Sequence, residues 1–156
     1  MKPVLGTLAL GALLAISSAV IAADAPDPVI GTWKLNTAKS TGATLPKSET
    51  RTYAASAGGI VLTWKRVGAD GEESSVETSY KYDGKDYPVT GSPDFDALSV
   101  KRVDANTVDS TQKRMSKAVG TTKRTVSKDG KTLTLVSKLT NAKGEVVNTT
   151  LVYDRQ

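Results

Sequence analysis

The stretch SKDGKTLTLVSK, Ser127 to Lys138, carries the pattern on which the fold of this chain turns. Asp129-Gly130 is a two-residue hairpin signal, because such turns need positive φ angles that Asp and Gly tolerate. After it, Leu133, Leu135 and Leu139 fall on one face of an extended strand, the two-residue period of a sheet with one buried side. The same grammar runs through the chain from Glu49 onward. Turn signals recur about every twelve residues, at Ala57-Gly58-Gly59, Ala69-Asp70-Gly71, Asp83-Gly84, Ser92-Pro93-Asp94, Asp104-Ala105-Asn106, Ser116 to Gly120, Asp129-Gly130 and Asn141 to Gly144. Between them lie segments dense in Val, Thr, Tyr and Leu, among them IVLTWKRV, where Ile60, Leu62 and Trp64 share a face. Pro88 has no amide hydrogen for a ladder, so its strand is expected to bulge or end early. Asn36 to Ser48 has room for a short helix or turn at most. With a first strand at Gly31 to Leu35, the count is about ten strands. The expected fold is all-β, an antiparallel up-and-down barrel of about 8–10 strands, because closure removes the two exposed edges of an open sheet. A two-sheet β-sandwich is the alternative.

The N-terminus reads as an export leader. Met1-Lys2 supplies a positive end, Val4 to Val20 an apolar run, and Val20-Ile21-Ala22-Ala23 a small-residue exit with cleavage after Ala22 or Ala23. A retained membrane anchor is the other reading of that run. The expected organisation is a signal peptide over residues 1–23 and one domain over 24–156, with no transmembrane span once the leader is gone. The chain has no cysteine, which excludes lipidation at a thiol and a disulfide framework. That suits a bacterial periplasm, the expected location.

Without the leader, 20 basic residues stand against 16 acidic ones, and they are unevenly spread. Residues 24–100 carry 8 Lys and Arg against 11 Asp and Glu, whereas residues 101–156 carry 12 against 5. A basic second half points to anionic small molecules, lipid headgroups or an acidic protein as partners, or to a solvated barrel exterior. Export and the lack of a binding motif argue against nucleic acid. With no histidine and no cysteine, Ser-His dyads, thiolate nucleophiles and His-ligated zinc are excluded. Glu72, Glu73 and Glu77 form no recognisable catalytic pair, and Asp83, Asp86, Asp94 and Asp96 lack calcium-loop spacing. The expectation is a non-enzyme with no cofactor and no metal site.

Hairpin register indicates which polar side chains point inward. If the face of Val108 is interior, then Gln112 and Arg114 share it. A turn centred on Ala118 would pair Arg114 with Thr122 and Gln112 with Arg124, placing Lys113 opposite Lys123 outside. The Asp129-Gly130 turn pairs Val126 with Leu133 and Arg124 with Leu135, so both hairpins put Arg124 inside. Arg102 shares the face of Leu98 and Val100, close to a turn. These arginines are either anchors for an anionic head group or side chains that reach solvent at the barrel mouth. Trp64 is a candidate lining residue on the same grounds, with core packing as its other role. A four-residue turn at Asn141 to Gly144 would pair Leu139 with Val146 and turn Asn148, Thr150 and Val152 inward.

GTWKLN, Gly31 to Asn36, places a Gly-x-Trp on the first strand of a meander, and this resembles the lipocalins and fatty-acid-binding proteins. TLVYDRQ, Thr150 to Gln156, resembles their last strand, and SKDGKTLTLVSK their penultimate hairpin. The resemblance implies a barrel with Trp33 packed across one end and Gly31 allowing close approach of the chain. It also implies that Leu151 and Tyr153 face inward, so that Tyr153 is a ligand-binding candidate. Two features depart from the fatty-acid-binding pattern: Asn36 to Ser48 is too short for a helical lid, and Leu151 stands where an Arg is expected. The ligand-binding candidates are therefore Arg124, Arg114, Gln112, Arg102, Trp64 and Tyr153, and the barrel-end motif is Gly31 with Trp33. The expected function is that of an exported lipocalin-like binding protein for a small amphiphilic or anionic molecule. The alternative is a non-enzymatic envelope interaction module, a scaffold or inhibitor built on a filled barrel.

Overall fold

Period-two patterning broken at glycine-rich turns yields eleven strands in the computed structural model, which describes residues 25–156. The leader expected over residues 1–23 lies outside the described residues. The strands are β1 (Gly31–Leu35), β2 (Thr41–Gly42), β3 (Ser48–Ser56), β4 (Gly59–Val67), β5 (Glu73–Tyr80), β6 (Asp83–Thr90), β7 (Ala97–Arg102), β8 (Thr107–Arg114), β9 (Lys117–Val126), β10 (Thr132–Thr140) and β11 (Val146–Arg155). From β3 to β11 each strand pairs antiparallel with the next, and β1 pairs with β3. The last strand returns to the first through Trp33↔Arg155, Lys34↔Asp154 and Leu35↔Tyr153. Ten strands thus close into a barrel, as expected, and no sandwich forms. A 3-10 turn at Thr37–Lys39 interrupts the first strand, and β2 resumes along β11 at Thr149↔Gly42 and Thr150↔Thr41. No helix among the described residues is long and apolar enough to cross a membrane.

Local chemistry decides each register. The Asp129-Gly130 hairpin gives Leu133↔Val126 and Leu135↔Arg124, as expected. The preceding hairpin corrects the expected one. Its turn is Met115-Ser116, two non-glycine residues at φ 47° and 65°, and the register shifts between Gln112 and Lys113. The pairs are Gln112↔Gly120 and Val108↔Arg124, displaced by an even number of residues, so the faces survive although the partners change. Gly120 is not a turn residue. It lies where β10 crosses close, and an added Cβ would sit 2.7 Å from the Lys138 carbonyl oxygen. The expected Lys113–Lys123 pair is absent: Lys123 stands opposite Asp109, and the Lys113 ammonium meets Asp86 at 2.7 Å.

The last hairpin also differs. Its loop holds five residues, Asn141 to Glu145, closed by the Asn141 amide on the Glu145 carbonyl, and Thr140 pairs with Val146. One residue more than the count from the turn signal reverses the strand, so Leu151 and Tyr153 face inward, and Asn148, Thr150 and Val152 do not. Pro88 marks the thinnest seam. β5 and β6 share only Glu77↔Thr90 and Thr78↔Val89, and the β6–β7 register shifts between Asp83 and Asp86.

One end of the barrel is sealed where the segment before β1 meets the end of β11. Trp33 is fully buried and donates its indole N–H to the Val29 carbonyl at 2.8 Å. The Arg155 guanidinium stacks on Trp33 at 4.2 Å and donates to the carbonyls of Pro28, Ile30 and Gly130. Gly31, at φ 137°, makes room for it: an added Cβ would lie 2.6 Å from Arg155 Nη1. Trp33→Ala is expected to lower stability by about 3–5 kcal/mol, the range for emptying a buried aromatic site. Urea unfolding followed by far-UV circular dichroism measures it, and a loss below about 1 kcal/mol would show that the end is held without Trp33.

Candidate functional site

The inward faces of the strands stack in layers, and apolar packing does not fill them. A cavity of about 590 Å³ runs up from the sealed end to the loops that join β4–β5, β6–β7 and β10–β11. One wall is mainly apolar and aromatic, with Tyr53, Leu62, Trp64, Val76 and Leu98. Phe95, on the β6–β7 loop, stacks on Trp64 with ring centroids 6.4 Å apart. The facing wall, on β8 to β11, is mixed: Ser110, Gln112, Thr122, Arg124, Ser137 and Thr149 lie among leucines and valines.

Arg124 lies deep in this cavity and is almost wholly buried. Its Nη1 donates to the Tyr80 hydroxyl at 2.8 Å and its Nη2 to the Tyr82 hydroxyl at 3.0 Å, with the Tyr53 ring 5.2 Å from the guanidinium. Its Nε is buried without a hydrogen-bond partner. Burial opposes the Arg124 charge, but the surrounding tyrosines, Tyr80 first, more than offset it and the pKa rises. Burial likewise raises the Tyr80 and Tyr82 hydroxyls, so both are neutral at physiological pH. Among the described residues Arg124 therefore touches no anion. The carboxylate behind it is Asp27, which accepts from Tyr82 at 2.6 Å and from Arg102. Burial raises Asp27, but Tyr82, the Val29 amide and Arg102 reverse this and hold it below the usual carboxylate range. Asp27 thus pairs directly with Arg102 and reaches Arg124 only through the Tyr82 hydroxyl.

A second carboxylate lies nearer the mouth. Glu49 on β3, its side chain fully enclosed, accepts from Arg51 at 2.5 Å, from Arg66, and from the Tyr153 hydroxyl at 2.7 Å. Arg51 lies between Trp64 and Tyr153, 4.7 and 5.5 Å from their ring centroids. Burial alone would raise the Glu49 carboxyl; Arg51, Arg66 and Tyr153 together hold it below its ordinary value of 4.5. Both arginines line the cavity. At the rim the lining adds Asp70, Glu72, Glu73, Asp94 and Glu145 against Lys143, so the unpaired positive charge is confined to the deeper wall at Arg124.

The structure brings Arg124, Gln112 and Trp64 together on the cavity wall. Tyr153 faces inward but lies behind the wall, holding Glu49 and Arg51. Arg102 and Arg114 do not line the cavity, which corrects their inward placement. Arg102 packs outside the floor on the Tyr82 ring at 4.0 Å and pairs with Asp27, because its strand ends there. Arg114, at the rim, donates to the Asp94 carbonyl at 2.9 Å. The four aspartates from Asp83 to Asp96 are drawn apart: Asp83 accepts from Tyr87, Asp86 from Lys113, Asp94 from the Ala142 amide and Asp96 from the Met115 amide. Glu49, Arg51, Arg66, Tyr53, Tyr80, Tyr82 and Asp27 were not among the sequence candidates. The alternation Glu49, Arg51, Tyr53, set opposite inward Trp64 by the Gly58 hairpin, was the available signal for three of them.

No family model matches the sequence, and no curated protein matches it. Among solved structures the chain is similar to an ileal bile acid-binding protein of zebrafish complexed with cholic acid. The identity is 12%, the TM-score 0.49, and the match covers 83% of this chain and 99% of that one.

Because the folded Glu49 pKa lies below its unfolded value, its pairing stabilises the protein above about pH 4.5, and that stability is lost as pH falls through the lowered value. Glu49→Gln is expected to cost about 3 kcal/mol at neutral pH, by leaving two guanidiniums without their shared anion. It should also flatten the loss of stability between pH 5 and pH 3, read from urea unfolding at each pH. Wild-type and variant curves that fall in parallel would contradict the assignment.

Proposed function

We propose that this protein is an exported carrier that binds one small amphiphilic molecule with an anionic head group. The observation that carries the proposal is Arg124, a buried guanidinium at the bottom of an open cavity with neutral tyrosines for partners and one N–H unsatisfied. A buried charge without a paired anion is costly, and a bound carboxylate, sulfate or phosphate removes that cost. The apolar body of the ligand rests on Trp64, Leu62, Val76, Leu98 and Phe95. A volume of about 590 Å³ lies within the range of small-molecule sites. An interaction module built on a filled barrel has no use for such a space. Catalysis is not part of the proposal, which needs binding and release alone. The leader directs the carrier to the periplasm, where it works.

Displacement of anilinonaphthalene sulfonate by myristate and by myristyl alcohol tests the head-group assignment. Arg124→Gln is expected to weaken myristate binding at least tenfold and to leave the alcohol unchanged. Lys123→Gln, on the neighbouring outward position opposite Asp109, should change neither by more than twofold. Equal losses in the two variants would contradict the inward anchor. Intact-mass measurement of the periplasmic protein tests export, with a chain beginning at Ala23 or Asp24 expected and an uncleaved leader contradicting it.

A further inference from the structure

One layer of the cavity wall is polar across four adjacent strands. Ser110 on β8 is directly opposite Thr122 on β9, Thr122 opposite Ser137 on β10, and Ser137 opposite Thr149 on β11. All four line the cavity. The layers on either side are different. Toward the floor the same strands carry Val108, Arg124, Leu135 and Leu151, and toward the mouth Gln112, Gly120, Leu139 and Val147. A row of hydroxyls facing inward gives up apolar contact that valine would supply at the same positions, so it needs polar partners.

The protein satisfies this row in part. The Gln112 amide nitrogen donates to Thr122 Oγ1 at 2.9 Å, Thr122 and Ser137 share a hydrogen bond of 2.8 Å, and Ser110 donates to the Thr122 carbonyl at 3.1 Å. Whichever of Thr122 and Ser137 donates to the other, one hydroxyl hydrogen of the pair has no acceptor among the described residues. Gln112 Oε1 is buried with no donor, on a side chain more than nine-tenths enclosed. The layer therefore holds an unused donor beside an enclosed, unused acceptor, together the complement of an alcohol, which both donates and accepts.

We infer that the ligand is a hydroxylated amphiphile: an anionic head, an apolar body, and a hydroxyl partway along that body which donates to Gln112 Oε1 and accepts from the Thr122–Ser137 pair. The inference rests on the carrier reading and sharpens it to a ligand class. Thr122 and Arg124 are two residues apart on β9, about 7 Å of strand, which sets the separation of hydroxyl from head group. A plain alkyl chain leaves the buried acceptor unpaired.

Isothermal titration of the wild-type protein with myristate and with its 2-, 6- and 10-hydroxy isomers tests this. At least one isomer hydroxylated along the chain is expected to bind tenfold or more tightly than myristate. Gln112→Leu, which keeps the bulk and removes the acceptor, should bring that ratio to within twofold of one. Ser137→Ala is the second variant, with the same narrowing expected if Gln112→Leu does not fold. Equal affinities across the series in the wild type would overturn the hydroxylated class and leave the carrier standing. A preference that survives both substitutions would also overturn it. Binding of none of the four would remove the carrier reading itself, and this inference with it.

Discussion

Ten strands enclose a cavity only if the last one finds the first, and in this chain that seam is three residue pairs with β1, from Trp33↔Arg155 to Leu35↔Tyr153, and two more with β2. So short a ladder is reinforced from the side. Arg155 lies over Trp33 and holds the carbonyls of Pro28, Ile30 and Gly130, tying the chain before β1 and the β9–β10 turn to the end of β11. Gly31 leaves the space that the guanidinium occupies. Closure hides both sheet edges and fixes the register all round the ring. Each inward polar side chain depends on that register, since a slip of one residue would turn it out to solvent.

Inside, the barrel holds polarity that a purely structural core would not need. Two carboxylates, Asp27 and Glu49, are held by guanidiniums, Arg102 at the floor and Arg51 with Arg66 nearer the mouth. Replacing such clusters with packed hydrocarbon is often neutral or stabilising, so their presence speaks for a role beyond stability. The two clusters differ in kind. Glu49 sits in direct contact with Arg51, Arg66 and Tyr153 and braces the wall. Asp27 reaches Arg124 only through Tyr82, which leaves the deeper guanidinium available to an incoming anion.

What could be read from the residues follows the strength of their turns. Asp129-Gly130 admits essentially one tight hairpin, so the inward position of Arg124 was legible. Met115-Ser116 carries no glycine or asparagine, and its positive φ angles are imposed by the strands it joins, so the partners across β8 and β9 were not legible although their faces were. The loop from Asn141 to Glu145 is one residue longer than its turn signal, and that single residue decided which side of β11 faces inward. There the resemblance to the lipocalin superfamily indicated the right face and the turn count did not. Asp27 meets Tyr82 across 55 positions of sequence, and Tyr153 meets Glu49 across 104. Contacts of that range arise from closure itself, which no local pattern encodes.

The central claim is that an anionic head group enters the barrel and rests against Arg124. Carbon-13 resonance of carboxyl-labelled myristate bound to the protein tests this most directly. A carboxylate held by a buried guanidinium stays ionised, so the account predicts one bound resonance at the ionised position, unchanged from pH 8 down to pH 5. A bound resonance that titrates within that range, as a carboxyl exposed at the mouth or packed in apolar surroundings does, would contradict it.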